Sequence, residues 1–220
     1  MDNPTPTAPK RLKKIKTHGE TRIDPWFWLR DVDDPETLEY LRAENAHTEA
    51  VMAPEEELQE RLYQEMRGRI KEDDSTVPEK EGDYYYYTRF EEGQQYPIHC
   101  RKQLSLDASE EVLIDVNGLA EALDYCRVGS WENSPDHKWL AYSVDADGSE
   151  KYTIVIKNLE TGELLGEVIP DSYYSLEWAG GSQTIYYDVL DDNHRPVKIF
   201  KHRLGHDPSK DGLVYEETDE

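Results

Sequence analysis

Three segments of the chain repeat one spacing of aromatic, aliphatic and basic residues, and this repeat limits the folds open to it. In each segment an aromatic residue stands ten positions before the start of a second apolar run: Tyr86 to Tyr96, Tyr142 to Tyr152, and Tyr187 to Val197. Each second run carries an isoleucine two residues after its start and a basic residue five after it: Ile98 and Arg101, Ile154 and Lys157, Ile199 and His202. The copies are 56 and 45 residues apart, close to the length of a four-stranded propeller blade.

The residues around each copy complete a four-stranded unit. Polar tips ("EEGQQ", "DADGSE" and "DDNHR") separate an aromatic strand end from the next strand, as in a hairpin. We therefore predict a mainly β fold with an N-terminal α-helical segment, in which about three four-stranded blades form a partial β-propeller. A plain antiparallel meander is the alternative. Propellers usually close with four to eight blades, so the pattern leads us to expect further blades after "VYEETDE".

The N-terminal third has a different character. Residues 1–17 read as a flexible basic leader, and residues 18–33 read as an extended segment with an aromatic cluster at Trp26, Phe27 and Trp28. Asp34 and Pro35 are a good N-cap and first helical residue, which predicts a helix over 35–51. A second helix is predicted over 55–71, where Leu58, Leu62, Met66 and Ile70 recur every fourth residue. These apolar stripes need a partner surface.

Composition limits the partners. A formal charge of −23 disfavours nucleic acid and anionic membranes. The acidic residues are spread along the chain without clustering, so they either attract basic ligands or only keep the surface solvated, as in a salt-rich cytoplasm. No apolar run approaches the roughly 20 residues of a membrane span. Cys100 and Cys126 show no C-x-x-C spacing, which favours a reducing compartment, the cytoplasm.

The sequence contains no catalytic motif that we recognise. G-x-S-x-G, G-x-x-x-x-G-K-[ST], G-x-G-x-x-G and H-E-x-x-H are all missing. The serines next to glycine, Ser130, Ser149 and Ser182, lie in turns or strands of the repeat. His202 and His206 are four apart, but a loop reading outweighs a metal site. Asp145 and Asp147 in "DADGSE" read as a hairpin tip rather than a calcium loop. We therefore predict no catalytic, cofactor-binding or metal-binding residue.

Taken together, four motifs resemble one enzyme family. "HGETRIDPWFWLRD", "YLRAENAHTEAVM", "LQERLYQEMRGRIKEDDSTVP" and "GDYYYYTRFEEGQQYPIHCRK" are similar to the start of the oligopeptidase B branch of the prolyl oligopeptidase family of serine peptidases. The similarity continues through "SPDHKWLAYSVD" and "HRLGHDPSKDGLVYEETDE", so it covers essentially residues 18–220.

The resemblance implies an α/β-hydrolase domain covered by a seven-bladed propeller. Residues 18–73 would pack on that hydrolase domain, residues 74–220 would form the first blades, and the family's Ser-Asp-His triad would lie further along the chain. The complete enzyme would cleave short basic peptides after Arg or Lys without a cofactor, and this chain alone would be inactive. The alternatives are a non-catalytic propeller module that binds partners and, more weakly, an acidic decoy for basic partners.

Overall fold

The computed structural model describes residues 4–219 and divides the chain into two units, residues 1–71 and 72–220. The first unit contains an antiparallel hairpin and two helices. These elements are β1 (Lys13–Thr17), β2 (Glu20–Asp24), α1 (Pro35–Met52) and α2 (Glu56–Arg67). Strand β1 takes in the last five residues of the predicted leader. The Asp34 side chain accepts a hydrogen bond from the Glu36 N–H at 2.9 Å, which confirms the predicted N-cap.

Two details of the first unit differ from the sequence reading. Phe27–Arg30 is a short 3₁₀ helix rather than an extended stretch, and its turn begins where the Asp24 carboxylate accepts the Trp26 N–H at 2.9 Å. Helix α2 ends at Arg67, four residues before the predicted end, because Gly68 closes the helix. Glycine costs a helix roughly 1 kcal/mol relative to alanine, so the periodicity that reaches Ile70 does not prolong it.

The second unit consists of three four-stranded antiparallel sheets, each built from consecutive strands. Blade 1 is formed by β3 (Glu79–Glu81), β4 (Tyr84–Arg89), β5 (Ile98–Gln103) and β6 (Glu111–Asp115), followed by the short helix α3 (Val116–Ala120). Blade 2 is formed by β7 (Arg127–Asn133), β8 (Trp139–Asp145), β9 (Tyr152–Asn158) and β10 (Leu164–Ser172). Blade 3 is formed by β11 (Leu176–Trp178), β12 (Thr184–Leu190), β13 (Pro196–Arg203) and β14 (Gly212–Glu216).

This arrangement confirms the predicted partial propeller rather than a single meander. The three copies of the repeat become the second and third strands of the three blades. One detail of the reading is wrong: Tyr86, Tyr142 and Tyr187 lie inside their strands and not at the strand ends. The strands therefore continue for three residues beyond each tyrosine, and the connecting tips contain eight, six and five residues.

Apolar side chains from neighbouring blades form two cores. The first core, between blades 1 and 2, contains Tyr86, Leu113, Cys126, Leu140 and other buried residues. The second, between blades 2 and 3, contains Ile154, Ile156, Ile185 and Tyr187 among others. Adjacent blades thus bury the faces that they turn toward each other, as expected for repeats that cannot cover their apolar faces alone.

Both cysteines are free and buried in this packing. The Cys100 side chain in β5 is 0% exposed, and that of Cys126, at the first core, is 4% exposed. Burial raises the pKa of the Cys100 thiol to about 11. Burial also raises the pKa of the Cys126 thiol, and the nearby Asp145 carboxylate adds to this shift.

Candidate functional site

The first strands of the blades border an open groove on the second unit. We call it the inner-strand groove, and its volume is about 620 Å³. It is lined by residues of β3 and β7 together with one tyrosine of β4: Glu79, Lys80, Glu81, Tyr86, Gly129, Ser130, Trp131, Glu132 and Asn133. Strands β3 and β7 are edge strands of their sheets, and the blades of a propeller surround a central channel.

Carboxylates dominate the inner strands. Strand β3 contributes Glu79 and Glu81, β7 contributes Glu132, and β11 contributes Glu177. Partial burial raises the pKa of Glu132, and the carboxylates of Glu177 and Glu81 raise it further. Carboxylates on the first strands of three different blades thus disfavour the charged form of Glu132, and a cationic group beside Glu132 would relieve this repulsion.

Strand β7 is shaped so that Glu132 and Trp131 reach the groove. The pairing of β7 with β8 shifts register between Val128 and Trp131, which is the signature of a β-bulge. At the shift, the Ser130 N–H donates to Ser143 Oγ at 3.0 Å, and this hydroxyl donates to the Tyr174 carbonyl at 2.7 Å. Farther along β7, the Trp178 indole N–H donates to the Glu132 carbonyl at 2.9 Å and ties β11 to β7.

Gly129 lets this part of β7 approach its neighbours. A Cβ atom at this position would lie 2.5 Å from Tyr174 Cβ, 2.7 Å from Tyr152 Cε1 and 2.9 Å from Ser143 Oγ. Such distances are far below van der Waals contact, so no residue with a side chain fits without movement of the neighbours. The bulge and the glycine together fix where the groove wall runs.

The structure places the serines flagged in the sequence in three separate environments. Ser130 lies in the groove wall, and Ser149 lies in the tip between β8 and β9, where its N–H donates to Asp147 at 3.0 Å. Ser182 is buried at a φ of +55°, and its hydroxyl accepts the Asp136 N–H at 3.1 Å. The structure does not gather these hydroxyls into one site.

The other flagged residues also stay apart. Asp145 is fully buried and accepts the N–H groups of Asp147 and Gly148 on Oδ1 and of Glu150 on Oδ2. Its carboxylate thus organises the hairpin tip. His202 is fully buried, whereas His206 is exposed in the following loop. Within residues 4–219, no three potential metal-ligating His, Cys, Asp or Glu side chains converge.

The first unit exposes the apolar stripes that the sequence predicted. We call Leu38, Leu41, Leu58, Leu62 and Met66 the helical apolar residues, and their exposed fractions run from 37% to 60%. Ile70, beyond the end of α2, is 67% exposed. Side chains of this kind are normally removed from water. In the part of the chain that the structure describes, no helix is both long and apolar enough to span a membrane. The helices α1 and α2 thus expose apolar side chains to solvent.

The aromatic cluster of the first unit is covered by cations of its own segment. The Arg11 guanidinium lies 4.4 Å from the centre of the Trp28 ring, and the Arg30 guanidinium lies 4.8 Å from that of Phe27. The Trp28 indole N–H donates to the Pro9 carbonyl at 3.0 Å. Cation–π contacts of this type are worth roughly 0.5–1 kcal/mol each at exposed sites. The basic leader is therefore held onto the aromatic turn.

The last blade carries a second apolar groove, of about 260 Å³, on the face away from blade 2. Tyr186 of β12, Ile199 of β13 and Tyr215 of β14 lie on it, with exposed fractions of 37%, 39% and 51%. The equivalent faces between blades 1 and 2 and between blades 2 and 3 are buried. We call this surface the open blade face.

The carboxylates at the inner-strand groove are not evident from the sequence, in which the acidic residues are spread along the chain. Residues far apart in sequence, such as Glu81, Glu132 and Glu177, meet only because each stands in the first strand of a blade. A signal was present: Glu132 follows Trp131 and Glu177 precedes Trp178. Both pairs stand just ahead of the copies of the repeat, in the place of a first strand.

Comparisons with known proteins agree with this architecture. The family model of the prolyl oligopeptidase N-terminal β-propeller domain matches residues 6–220. Protease 2 of Moraxella lacunata is 40% identical over 98% of this chain and 32% of its own length, and dipeptidyl aminopeptidase BI of Pseudoxanthomonas mexicana is 41% identical over the same shares. The solved oligopeptidase B of Leishmania major, 30% identical, superimposes with a TM-score of 0.88 over 99% of this chain and 33% of its own. The chain thus spans about a third of the length of these relatives.

Proposed function

Because the chain belongs to the prolyl oligopeptidase N-terminal β-propeller family, we propose that it is the part of a serine peptidase that controls which peptides enter. The complete enzyme, in this proposal, cleaves short peptides after Arg or Lys in the cytoplasm. Its catalytic serine, histidine and aspartate belong to a C-terminal α/β-hydrolase domain beyond these residues. The chain itself supplies blades that narrow the entrance and exclude folded proteins.

The acidic inner-strand groove is the observation that carries the proposed preference for basic peptides. Glu81, Glu132 and Glu177 come from three blades, and the carboxylates of Glu81 and Glu177 both act electrostatically on Glu132. A Lys or Arg side chain near Glu132 would be attracted by the same carboxylates that disfavour the charged form of Glu132. The partly buried Trp131 ring lies in the same groove and favours cations further. Electrostatic focusing of this kind raises encounter rates more than equilibrium affinity.

In the complete enzyme, each exposed apolar surface of this chain is covered by one other part of the protein. The helical apolar residues pack on the C-terminal hydrolase domain, and the open blade face receives the next blade of the same chain. Relatives three times as long as this chain contain the additional residues that such contacts require. Packing these side chains away from water would contribute roughly 25 cal/mol per Å² of apolar surface removed from solvent.

The first test replaces Glu81, Glu132 and Glu177 with Gln in the complete enzyme. We expect kcat/KM for an arginyl amide peptide to fall by about 3- to 10-fold at low salt, and by less at high salt, since screening weakens steering. An arginyl substrate too short to depend on the entrance should respond less. The control carries Glu92→Gln, Glu163→Gln and Asp192→Asn, three exposed acids outside the groove. An equal fall in the control would overturn the role of the groove.

The second test separates this chain from the complete enzyme. Met66 is 60% exposed in the first unit, so Met66→Asp should leave the stability of the 220-residue chain within about 0.5 kcal/mol. In the complete enzyme it should cost roughly 2 kcal/mol or more, because a buried carboxylate would face the hydrolase domain. The unsubstituted 220-residue chain should not hydrolyse an arginyl amide. Turnover by this chain would refute the division of roles.

A non-catalytic binding module remains the second candidate, and the open blade face is the observation that favours it. Copies of the chain could cover Tyr186, Ile199 and Tyr215 by assembling into a closed ring. Size-exclusion chromatography with light scattering distinguishes the two: a defined oligomer of the 220-residue chain supports the module, and a monomer does not.

A further inference from the structure

The basic residue that recurs in the third strand of each repeat is not on the surface. Arg101 in β5 is 4% exposed, His202 in β13 is 0% exposed, and Lys157 in β9 is half-buried. Cations leave water at a cost unless a specific partner replaces their hydration. A sequence position that buries a basic group in three blades in succession therefore needs an explanation within the fold.

Each of these residues reaches across to a neighbouring blade. Arg101 of blade 1 donates from Nη1 to the His137 carbonyl of blade 2 at 2.9 Å. Lys157 of blade 2 donates from Nζ to the Leu113 carbonyl of blade 1 at 2.9 Å. His202 of blade 3 places Nε2 3.5 Å from an Oε1 of Glu167 in blade 2. The partners differ in type, but every contact joins two sheets.

Further contacts hold the Arg101 side chain in place, and the pKa of Lys157 reflects its burial. Arg101 also forms a bidentate pair with Glu111 of its own blade, at 2.7 and 3.0 Å, and its guanidinium lies 4.2 Å from the centre of the Tyr84 ring. These contacts hold the side chain straight so that Nη1 can reach the next blade. Burial lowers the pKa of Lys157, an effect that the Glu111 carboxylate opposes.

The His202 ring lies between carboxylates of two blades. Nδ1 lies 2.8 Å from Asp211 Oδ1, while Nε2 is buried beside Glu167 without a hydrogen bond. Asp211 already accepts the Tyr187 hydroxyl at 3.0 Å, and Glu167 accepts the Gly205 N–H at 2.9 Å. A neutral imidazole would turn one lone pair toward a carboxylate. Only the imidazolium carries a proton on both ring nitrogens.

We propose that the third-strand basic position is an inter-blade tie, used once in each repeat, and that the tie between blades 2 and 3 is an imidazolium at His202. Apolar packing between blades does not depend on direction, so it resists separation more than sliding. A buried cation with a fixed acceptor on the neighbouring sheet adds a directional contact, which opposes sliding of one sheet over the other. The ties would therefore set the angle between successive blades.

Hydrogen exchange of the full chain tests the tie at His202. We expect His202→Gln to speed amide exchange roughly 10-fold or more in peptides that cover residues 164–172 and 200–212, with peptides of 98–115 unchanged. Lys201→Gln removes an exposed cation one position earlier on the same strand and should leave all of these peptides unchanged. Arg101→Gln should produce the reverse pattern. Equal effects of His202→Gln and Lys201→Gln would overturn the proposal.

Two further measurements keep the proposal testable if His202→Gln does not fold. Glu167→Gln neutralises the acceptor in blade 2, while its amide oxygen can still accept the Gly205 N–H, and it should speed exchange in the same two peptides. Nitrogen NMR of the His202 ring at pH 7 should show both nitrogens protonated in the unsubstituted chain. A neutral ring, or exchange unaffected by Glu167→Gln, would refute the tie between blades 2 and 3.

Discussion

Acid should weaken this fold through one histidine that is buried in its neutral form. His99 in β5 is 8% exposed, its ring centre lies 4.8 Å from that of Trp131 in the neighbouring blade, and its Nδ1 lies 2.9 Å from the Thr88 hydroxyl. No carboxylate pairs with it. Burial lowers the pKa of His99 from 6.5 to about 4. The unfolded chain therefore takes up this proton at a higher pH than the folded chain does.

The sign and size of the effect follow from that difference. For a group whose pKa is lowered in the fold, the stabilisation is complete above the unfolded value and is lost as the pH falls toward the folded value. A difference of about 2.5 units corresponds to roughly 3 kcal/mol in all. Between pH 7 and pH 5, the same two pKa values give a loss of about 2 kcal/mol.

Urea unfolding at pH 7, 6 and 5 measures this loss when the chain is compared with His99→Gln. The glutamine cannot take up a proton in this range, yet it can still bond to the Thr88 hydroxyl. Carboxylates titrate in both proteins, so their effects cancel in the difference. We expect the unfolding free energy of the unsubstituted chain to fall by about 2 kcal/mol more than that of the variant. Parallel pH profiles would refute the assignment of acid sensitivity to His99.

Two further predictions concern the groove. Gly129→Ala should destabilise the chain by roughly 1–3 kcal/mol, because its Cβ would overlap Tyr152 and Tyr174; Gly180→Ala, where the Cβ would meet no atom within 4 Å, should be neutral in the same thermal melts. Glu132→Gln should raise stability at pH 7, since the pKa of Glu132 is raised and its ionised form is disfavoured. This advantage should vanish in melts at pH 4, where Glu132 is largely protonated in either state, and an advantage that persists there would contradict the explanation.

The repeat in the sequence was enough to predict the blades, because strand periodicity and hairpin spacing are local properties. The same reasoning misplaced the turn at Phe27–Arg30, where an Asp24 side chain begins a 3₁₀ helix next to a proline. It also carried α2 too far, since periodicity alone does not register the effect of Gly68. Local signals fix element types better than their ends.

The acidic groove and the inter-blade ties could not be predicted in this way. The sequence revealed that Arg101, Lys157 and His202 occupy one repeat position, but not that they are buried. Burial depends on how neighbouring sheets twist against each other. Glu81 and Glu177 are 96 positions apart, and both act on Glu132. Only the packing of three blades brings such residues together.

The reactivity of the two buried thiols reports local opening of the fold. A thiol reacts as its thiolate, and with a pKa of about 11 Cys100 holds very little thiolate at neutral pH. Both sulfurs are buried in the folded chain, because Cys100 is buried in β5 and Cys126 lies in the core between blades 1 and 2. The alkylation rate of each cysteine therefore reports how often the structure around that cysteine opens and exposes its sulfur to solvent. Such alkylation rates need no introduced label, and they can be measured with or without an added peptide.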